Sequence, residues 1–306
     1  MEHSKKQIII IGCPRSGTTY LMRLLASNKA FSWVSNELNK NPFDYHFTKG
    51  LKYYKVPIIG KKLYYKAKLF DNPLLVPVEP WNFWNSHINY FQWKPSHFFT
   101  PRNAEPSDLT QDQIDKTRNA IDLICKYGKS DIFLSKYTDF PRVKMLKEIF
   151  PNAKFIHIIR DGRAVANSYI KKIQSGDFNT SKEIENWVSA WPSKWKDDFI
   201  ALKQNPIAFT LIQWKYFVSE IRNELSQIPN FDYKEIRYSN LTSNMEQVVK
   251  EIHEFVGIKL DSNIKYFMKM KPSDNMNHKW KNNLSQEEKE IFNVLLNEDE
   301  FKSLLD

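Results

Sequence analysis

Residues 7–19 read Gln-Ile-Ile-Ile-Ile-Gly-Cys-Pro-Arg-Ser-Gly-Thr-Thr. The four isoleucines form a β-branched run suited to a buried strand. Gly12 and Gly17 bracket a turn, and two hydroxyl residues then open a helix. This is the spacing of a phosphate-binding loop, with Thr18 where the loop lysine belongs and Arg15 inside the turn. Backbone N–H groups and the helix N-terminus still suit an anion. The lysine that would reach the β- and γ-phosphates of ATP is missing, so the loop suits a nucleotide whose 5′ end is not a triphosphate.

Residues 154–169 carry the second signal, Lys-Phe-Ile-His-Ile-Ile-Arg-Asp-Gly-Arg-Ala-Val-Ala-Asn-Ser-Tyr. Lys154 to Ile159 reads as a buried strand. Arg160 and Asp161 leave it at the C-terminal end, where open α/β sheets bind ligands. Arginine offers a planar fork for phosphate, and Ser168 on the following helix adds a hydroxyl. His157, in mid-strand, reads as a core histidine.

Together these stretches resemble the PAPS-dependent sulfotransferases, in the branch whose loop reads P-R-S-G-T-T. PAPS is 3′-phosphoadenosine 5′-phosphosulfate, and PAP is the product left after transfer. The resemblance covers roughly residues 7–37 and 130–290 and implies a P-loop-like α/β fold. It implies that Arg15, Ser16, Gly17, Thr18 and Thr19 contact the 5′-phosphosulfate, and that Arg160 and Ser168 hold the 3′-phosphate. Lys136 would neutralise charge near the sulfate. The small-molecule branch places a catalytic histidine two residues after this lysine, but here that residue is Thr138.

The base must then be another group, and a carboxylate serves. Glu79, in the apolar and aromatic stretch Val-Pro-Val-Glu-Pro-Trp, is preferred over Glu37, which follows the loop in Ser-Asn-Glu-Leu. The segment Asn-His-Lys-Trp-Lys-Asn-Asn resembles the family's stretch that folds over the nucleotide. There Trp280 would anchor, and Lys279 or Lys281 would reach the 3′-phosphate. Tyr238 would approach the adenine. No metal ligand set is expected.

Composition sets wider bounds. A chain of 306 residues with 42% hydrophobic and 26% charged content is ordinary for a globular protein. The net charge of +10 favours anionic partners. Two cysteines, Cys13 and Cys125, make no disulfide framework. No apolar run is long enough for a signal peptide or anchor. The expectation is a cytoplasmic enzyme, without a nucleic-acid partner, that moves a sulfuryl group to a hydroxyl or amine of a small-molecule, glycan or lipid acceptor. Peripheral membrane contact stays open, and oligomeric state is not readable.

Alternation of strand and helix signals predicts a parallel sheet with helices on both faces, within a single domain over 1–306. Further strands are predicted at Ile132–Ser135 and Tyr233–Arg237, and long amphipathic stretches at about Lys182–Leu202 and Ile207–Gln227. Capping boxes are predicted at Thr110–Gln113, Ser243–Glu246 and Ser285–Glu288. Residues 38–105, dense in proline, aromatics and lysine, show no clean period and read as an acceptor-side insertion. Two rivals remain: a kinase, opposed by the missing loop lysine, and a basic module that binds polyanions without turnover.

Overall fold

The computed structural model describes residues 5–69, 75–89, 104–138, 140–175, 180–189, 191–269 and 277–305. The chain begins β1 (Lys6–Ile11), α1 (Thr18–Leu25), β2 (Phe31–Ser32), α2 (Asn36–Lys40), α3 (Leu51–Tyr54), α4 (Pro57–Leu69) and α5 (Trp81–Ile88). Next come α6 (Gln111–Gly128), β3 (Ile132–Tyr137), α7 (Val143–Ile149), β4 (Lys154–Ile159) and α8 (Gly162–Gln174). After these lie α9 (Thr180–Ser189), α10 (Ser193–Ala201), α11 (Pro206–Leu225), β5 (Tyr233–Arg237), α12 (Tyr238–Ser243) and α13 (Met245–Val256). The last are α14 (Ser262–Met268), α15 (Trp280–Asn283), α16 (Gln286–Leu295) and α17 (Asp299–Lys302).

The five strands pair in parallel in the order β2-β3-β1-β4-β5. Side chains on β1 point alternately to opposite faces, as strand geometry requires. Ile9 and Ile11 join one buried cluster with Phe133, Phe155 and Trp214. Ile8 and Ile10 join the other with Leu134, Ile156 and Ile158. A strand buried on both faces must be apolar at every position, which is why these runs do not alternate. Helices cover both faces, as predicted.

β1 lies between β3 and β4, so the strand order reverses around it. From β1 the chain runs to β2 and then β3 on one side, and it next crosses to β4 and β5 on the other. This is the topological switch point where the loops diverge and leave a crevice.

Some local expectations fail for identifiable reasons. The amphipathic stretch at 182–202 divides into α9 and α10, and Pro192 is the N-cap of α10. Proline fixes φ and lacks an N–H, so it starts a helix more readily than it continues one. The capping box at Ser243 does not form: Asn244 precedes α13, and the Ser243 hydroxyl instead donates to the Ser239 carbonyl within α12. The boxes at Thr110 and Ser285 both form. Within 38–105 the described residues include three helices, α3 to α5, that the sequence did not reveal. Among the described residues, no helix is long and apolar enough to cross a membrane.

Candidate active site

At the C-terminal end of β1 the chain turns through Arg15 and Gly17, both in the left-handed region at φ 71° and 95°. Glycine at 17 is required twice over. A β-carbon there would be strained, and it would lie 2.4 Å from Cδ2 of Tyr238. Arg15 has no such freedom, and strain of this kind gathers at functional sites. Its guanidinium is held by a hydrogen bond from Nε to the Ser168 hydroxyl at 2.9 Å. The first backbone N–H groups of α1 have no partner inside the helix, and Thr18, Thr19 and Tyr20, which carry them, border the same space. The Ser16 hydroxyl is fully buried and finds no partner in the protein.

Arg160 is buried where β4 ends. Its Nη1 donates to the Arg15 carbonyl at 3.0 Å and its Nε to Asn277 Oδ1 at 2.8 Å. Its guanidinium lies over the Tyr238 ring, 4.7 Å from the centroid. Burial pushes the Tyr238 hydroxyl up, against the pull of Arg160, so the ring stays neutral. The backbone is fixed as well: the Trp214 indole donates to the Arg160 carbonyl at 3.0 Å. Asp161 caps α8 and grips Arg163, whose guanidinium covers the Trp280 ring at 4.5 Å. Two neighbouring residues thus tie the strand end to the C-terminal segment, Arg160 through Asn277 and Asp161 through Arg163.

The third corner comes from β3. Lys136, at 5% exposure, donates from Nζ to Glu79 Oε2 at 2.9 Å. The Thr138 amide donates to Oε1 of the same carboxylate at 2.8 Å, and its hydroxyl donates to it at 2.6 Å. Glu79 is therefore ringed by donors, not by apolar side chains alone. It is brought in by an antiparallel bridge between Ser35 and Pro77. The threonine two residues after the lysine holds the carboxylate in place.

These corners enclose one cavity of about 480 Å³, ordinary for a small-molecule site. Its lining includes Arg15, Gly17, Thr18, Thr19, Glu79, Lys136, Arg160, Ser168 and Tyr238, all singled out from sequence. Thr138 joins them. Ser16, within the loop, is fully buried and does not line the cavity. Glu37 sits on α2 outside the lining, with Oε2 buried and unpartnered and Oε1 3.5 Å from the Asn41 amide. Lys279 and Lys281 are exposed and Trp280 is buried, and none of the three lines this cavity. Trp280 and Arg163 instead line a second hollow beside α16.

Sequence reasoning missed Asn277 and the link from Asp161 through Arg163 to Trp280. Asn277 opens the marked segment Asn-His-Lys-Trp-Lys-Asn-Asn, but only Lys279, Trp280 and Lys281 within it were given roles. Asp161 offered a usable signal, as an acidic N-cap two residues before an arginine. His157 is a core residue, as read: it is fully buried, 3.3 Å from Glu235, with its pKa lowered by burial.

Comparisons with known proteins bear on the family and the fold. The model of the sulfotransferase family matches residues 7–262, and the chain belongs to that family. A Caenorhabditis briggsae protein named "Putative protein-tyrosine sulfotransferase" is 25% identical over 178 residues, 56% of this chain and 60% of that protein. A Caenorhabditis elegans protein of the same name is 31% identical over 87 residues, 28% of this chain and 33% of that protein. The chain thus spans less than two thirds of either relative. Two solved structures share the fold. Sulfotransferase STF9 from Mycobacterium avium gives a TM-score of 0.58 at 15% identity, over 96% of this chain and 76% of that one. Sulfotransferase STF1 from Mycobacterium tuberculosis gives 0.57 at 14%, over 96% and 77%.

Proposed function

We propose that this chain transfers a sulfuryl group from PAPS to an acceptor hydroxyl, leaving PAP. The observation that carries the reading is the convergence of Arg15, Ser168, Arg160 and Tyr238 around a phosphate loop without its lysine. Arg160 and Ser168 offer a fork and a hydroxyl to the 3′-phosphate. The α1 N-terminus and Arg15 face the 5′-phosphosulfate. Gly17 leaves room that a side chain would fill, and the Ser16 hydroxyl beside it is buried without a protein partner.

The transfer is an in-line displacement. A bond forms from the acceptor oxygen to sulfur, the bond from sulfur to the bridging oxygen breaks, and PAP departs with the electron pair. Glu79 takes the acceptor's proton, which a carboxylate does well at hydrogen-bond range. Lys136 and Arg15 stabilise charge on the sulfuryl and bridging oxygens. Thr138 fixes the carboxylate, so that positioning supplies part of the rate. The pairing of Glu79 with Lys136 inside the cavity favours Glu79 over Glu37 as the base. The relatives' names favour a phenolic hydroxyl, among the carbohydrate, phenol and lipid acceptors that fit the chemistry.

Thermal stabilisation by PAP tests the donor, since a ligand that binds only the folded state raises the midpoint. PAP is expected to raise it and ATP with magnesium is not. Arg160 also supports the loop, so Ser168→Ala, which leaves the β4 end intact, is the cleaner variant and should reduce the shift. A shift with ATP and magnesium alone would sink the assignment.

A further inference from the structure

Between residues 45 and 70 the chain holds seven lysines and no acidic residue. Within this stretch α3 and α4 form a helix-turn-helix tip. Tyr53, Val56, Ile58 and Ile59 project from it at 48%, 42%, 65% and 41% exposure, beside exposed Lys52, Lys61 and Lys62. Four of the eight large apolar side chains exposed among the described residues thus fall within seven positions, and Phe43 adds a fifth nearby.

The tip cannot fold back to hide them. Leu51 and Tyr54 are fully buried, and the Tyr54 hydroxyl donates to the Arg23 carbonyl at 3.0 Å. The Tyr54 ring packs edge-on to Trp33 and against Phe267. Gly60 sits so close that a β-carbon would lie 2.0 Å from the Tyr54 carbonyl oxygen. Its amide closes the turn onto the Val56 carbonyl at 2.7 Å. One side of the element is therefore clamped to the core, and the other presents aliphatic groups with a cationic border.

We infer that this tip docks the protein on an anionic membrane surface. Aliphatic side chains at the centre suit the boundary between headgroups and acyl chains, and lysines at the edge suit lipid phosphates. A protein partner is less suited, because lysine is depleted in such interfaces while arginine and aromatics are favoured. A nucleic acid would leave three aliphatic side chains without a role. The inference does not depend on the donor or the reaction, so a failed vesicle assay leaves the proposed function untouched.

The test is co-sedimentation of the full chain with vesicles of phosphatidylcholine alone, and with about 30% phosphatidylserine added. Binding is expected only to the anionic vesicles and should weaken as salt rises. Lys61→Ala with Lys62→Ala should weaken it roughly 30-fold, at about 1 kcal/mol per lysine. Ile58→Ser with Ile59→Ser should also abolish most binding. Both pairs are exposed, so an unchanged thermal midpoint shows that each variant is folded. Absence of binding to anionic vesicles would overturn the proposal, and so would equal binding to both compositions. Binding to single-stranded DNA without vesicle binding would overturn it in favour of a nucleic-acid surface.

Discussion

The two sides of the cavity are built in different ways. The side proposed for the donor comes from the loop after β1 and the end of β4, each a short contiguous stretch running from strand to helix. The side proposed for the acceptor rests on Glu79, which meets Lys136 and Thr138 from 57 and 59 positions away along the chain. Contiguous spacing shapes each half of the first side, and contacts such as Arg160 to the Arg15 carbonyl then join the two halves. The second exists only once residues 75–80 lie across the end of β3. The donor side should therefore tolerate changes in the insertion, and the acceptor side should be the one that decides turnover.

The largest effect should come from breaking the acceptor side alone. Glu79→Gln is expected to lower kcat roughly 100- to 10,000-fold, the usual share of a general base. PAP binding should persist, as read by thermal shift. Glu37→Gln, outside the cavity, should leave kcat within about threefold, less than 1 kcal/mol. The reverse result would transfer the base to Glu37 and split the cavity differently.

A control outside both sides comes next. Glu224 on α11 is 3% exposed and accepts the amides of Val143 and Lys144 at the start of α7. Burial pushes its carboxyl up to about 7, against the pull of those amides. The folded state therefore holds a proton that the unfolded chain releases near pH 4. Its contribution is fully present below that pH and is lost as pH rises through about 7, by roughly 3 kcal/mol. Denaturant unfolding from pH 5 to 8 should show this fall, and Glu224→Gln should flatten it. An unchanged slope in the variant would assign the dependence to other groups.

Breaking the donor side should change affinity before rate. Arg160→Lys keeps the charge but loses the fork. PAP affinity is expected to fall roughly 10- to 100-fold, the loss of a charged hydrogen bond worth about 1.5–3 kcal/mol. Calorimetric titration reads this directly. A loss of kcat at saturating PAPS, with affinity intact, would show that the strand end serves chemistry as well as binding.

The smallest effect concerns scaffold alone. Thr110→Ala removes the cap from α6, where the hydroxyl accepts from the Gln113 amide. It should cost about 1 kcal/mol of stability and leave both sides of the cavity as they are. Chemical denaturation and PAP titration of the same sample check both halves of that statement.

The fold was legible where a strand is buried on both faces. Ile8–Ile11 and Lys154–Ile159 stood out because such strands carry runs of apolar or β-branched residues closed by turn chemistry, whereas Tyr233–Arg237 is a half-exposed edge strand in which only Ile236 is buried. β2 escaped because two residues give no period. The helices of 38–105 escaped because aromatics and lysines mix on the same turns, leaving no clean polar face. Arg15, Arg160 and Ser168 were legible through spacing. Thr138 was read only as a missing histidine. Its role as the donor that holds Glu79 depends on a partner that no local pattern names.

By itself the sequence determined the parallel sheet, the phosphate loop without its lysine and the arginine at the end of β4. Each of these is encoded within one strand, turn and helix, where neighbouring residues are also neighbours in space. Only the tertiary structure decided that Glu79 and not Glu37 enters the cavity, that Asn277 steadies Arg160, and that Trp280 packs under Arg163. It also decided that the lysine-rich insertion presents a clamped apolar tip. These follow from long-range packing, and the chain meets itself there at separations that carry no signal in local spacing.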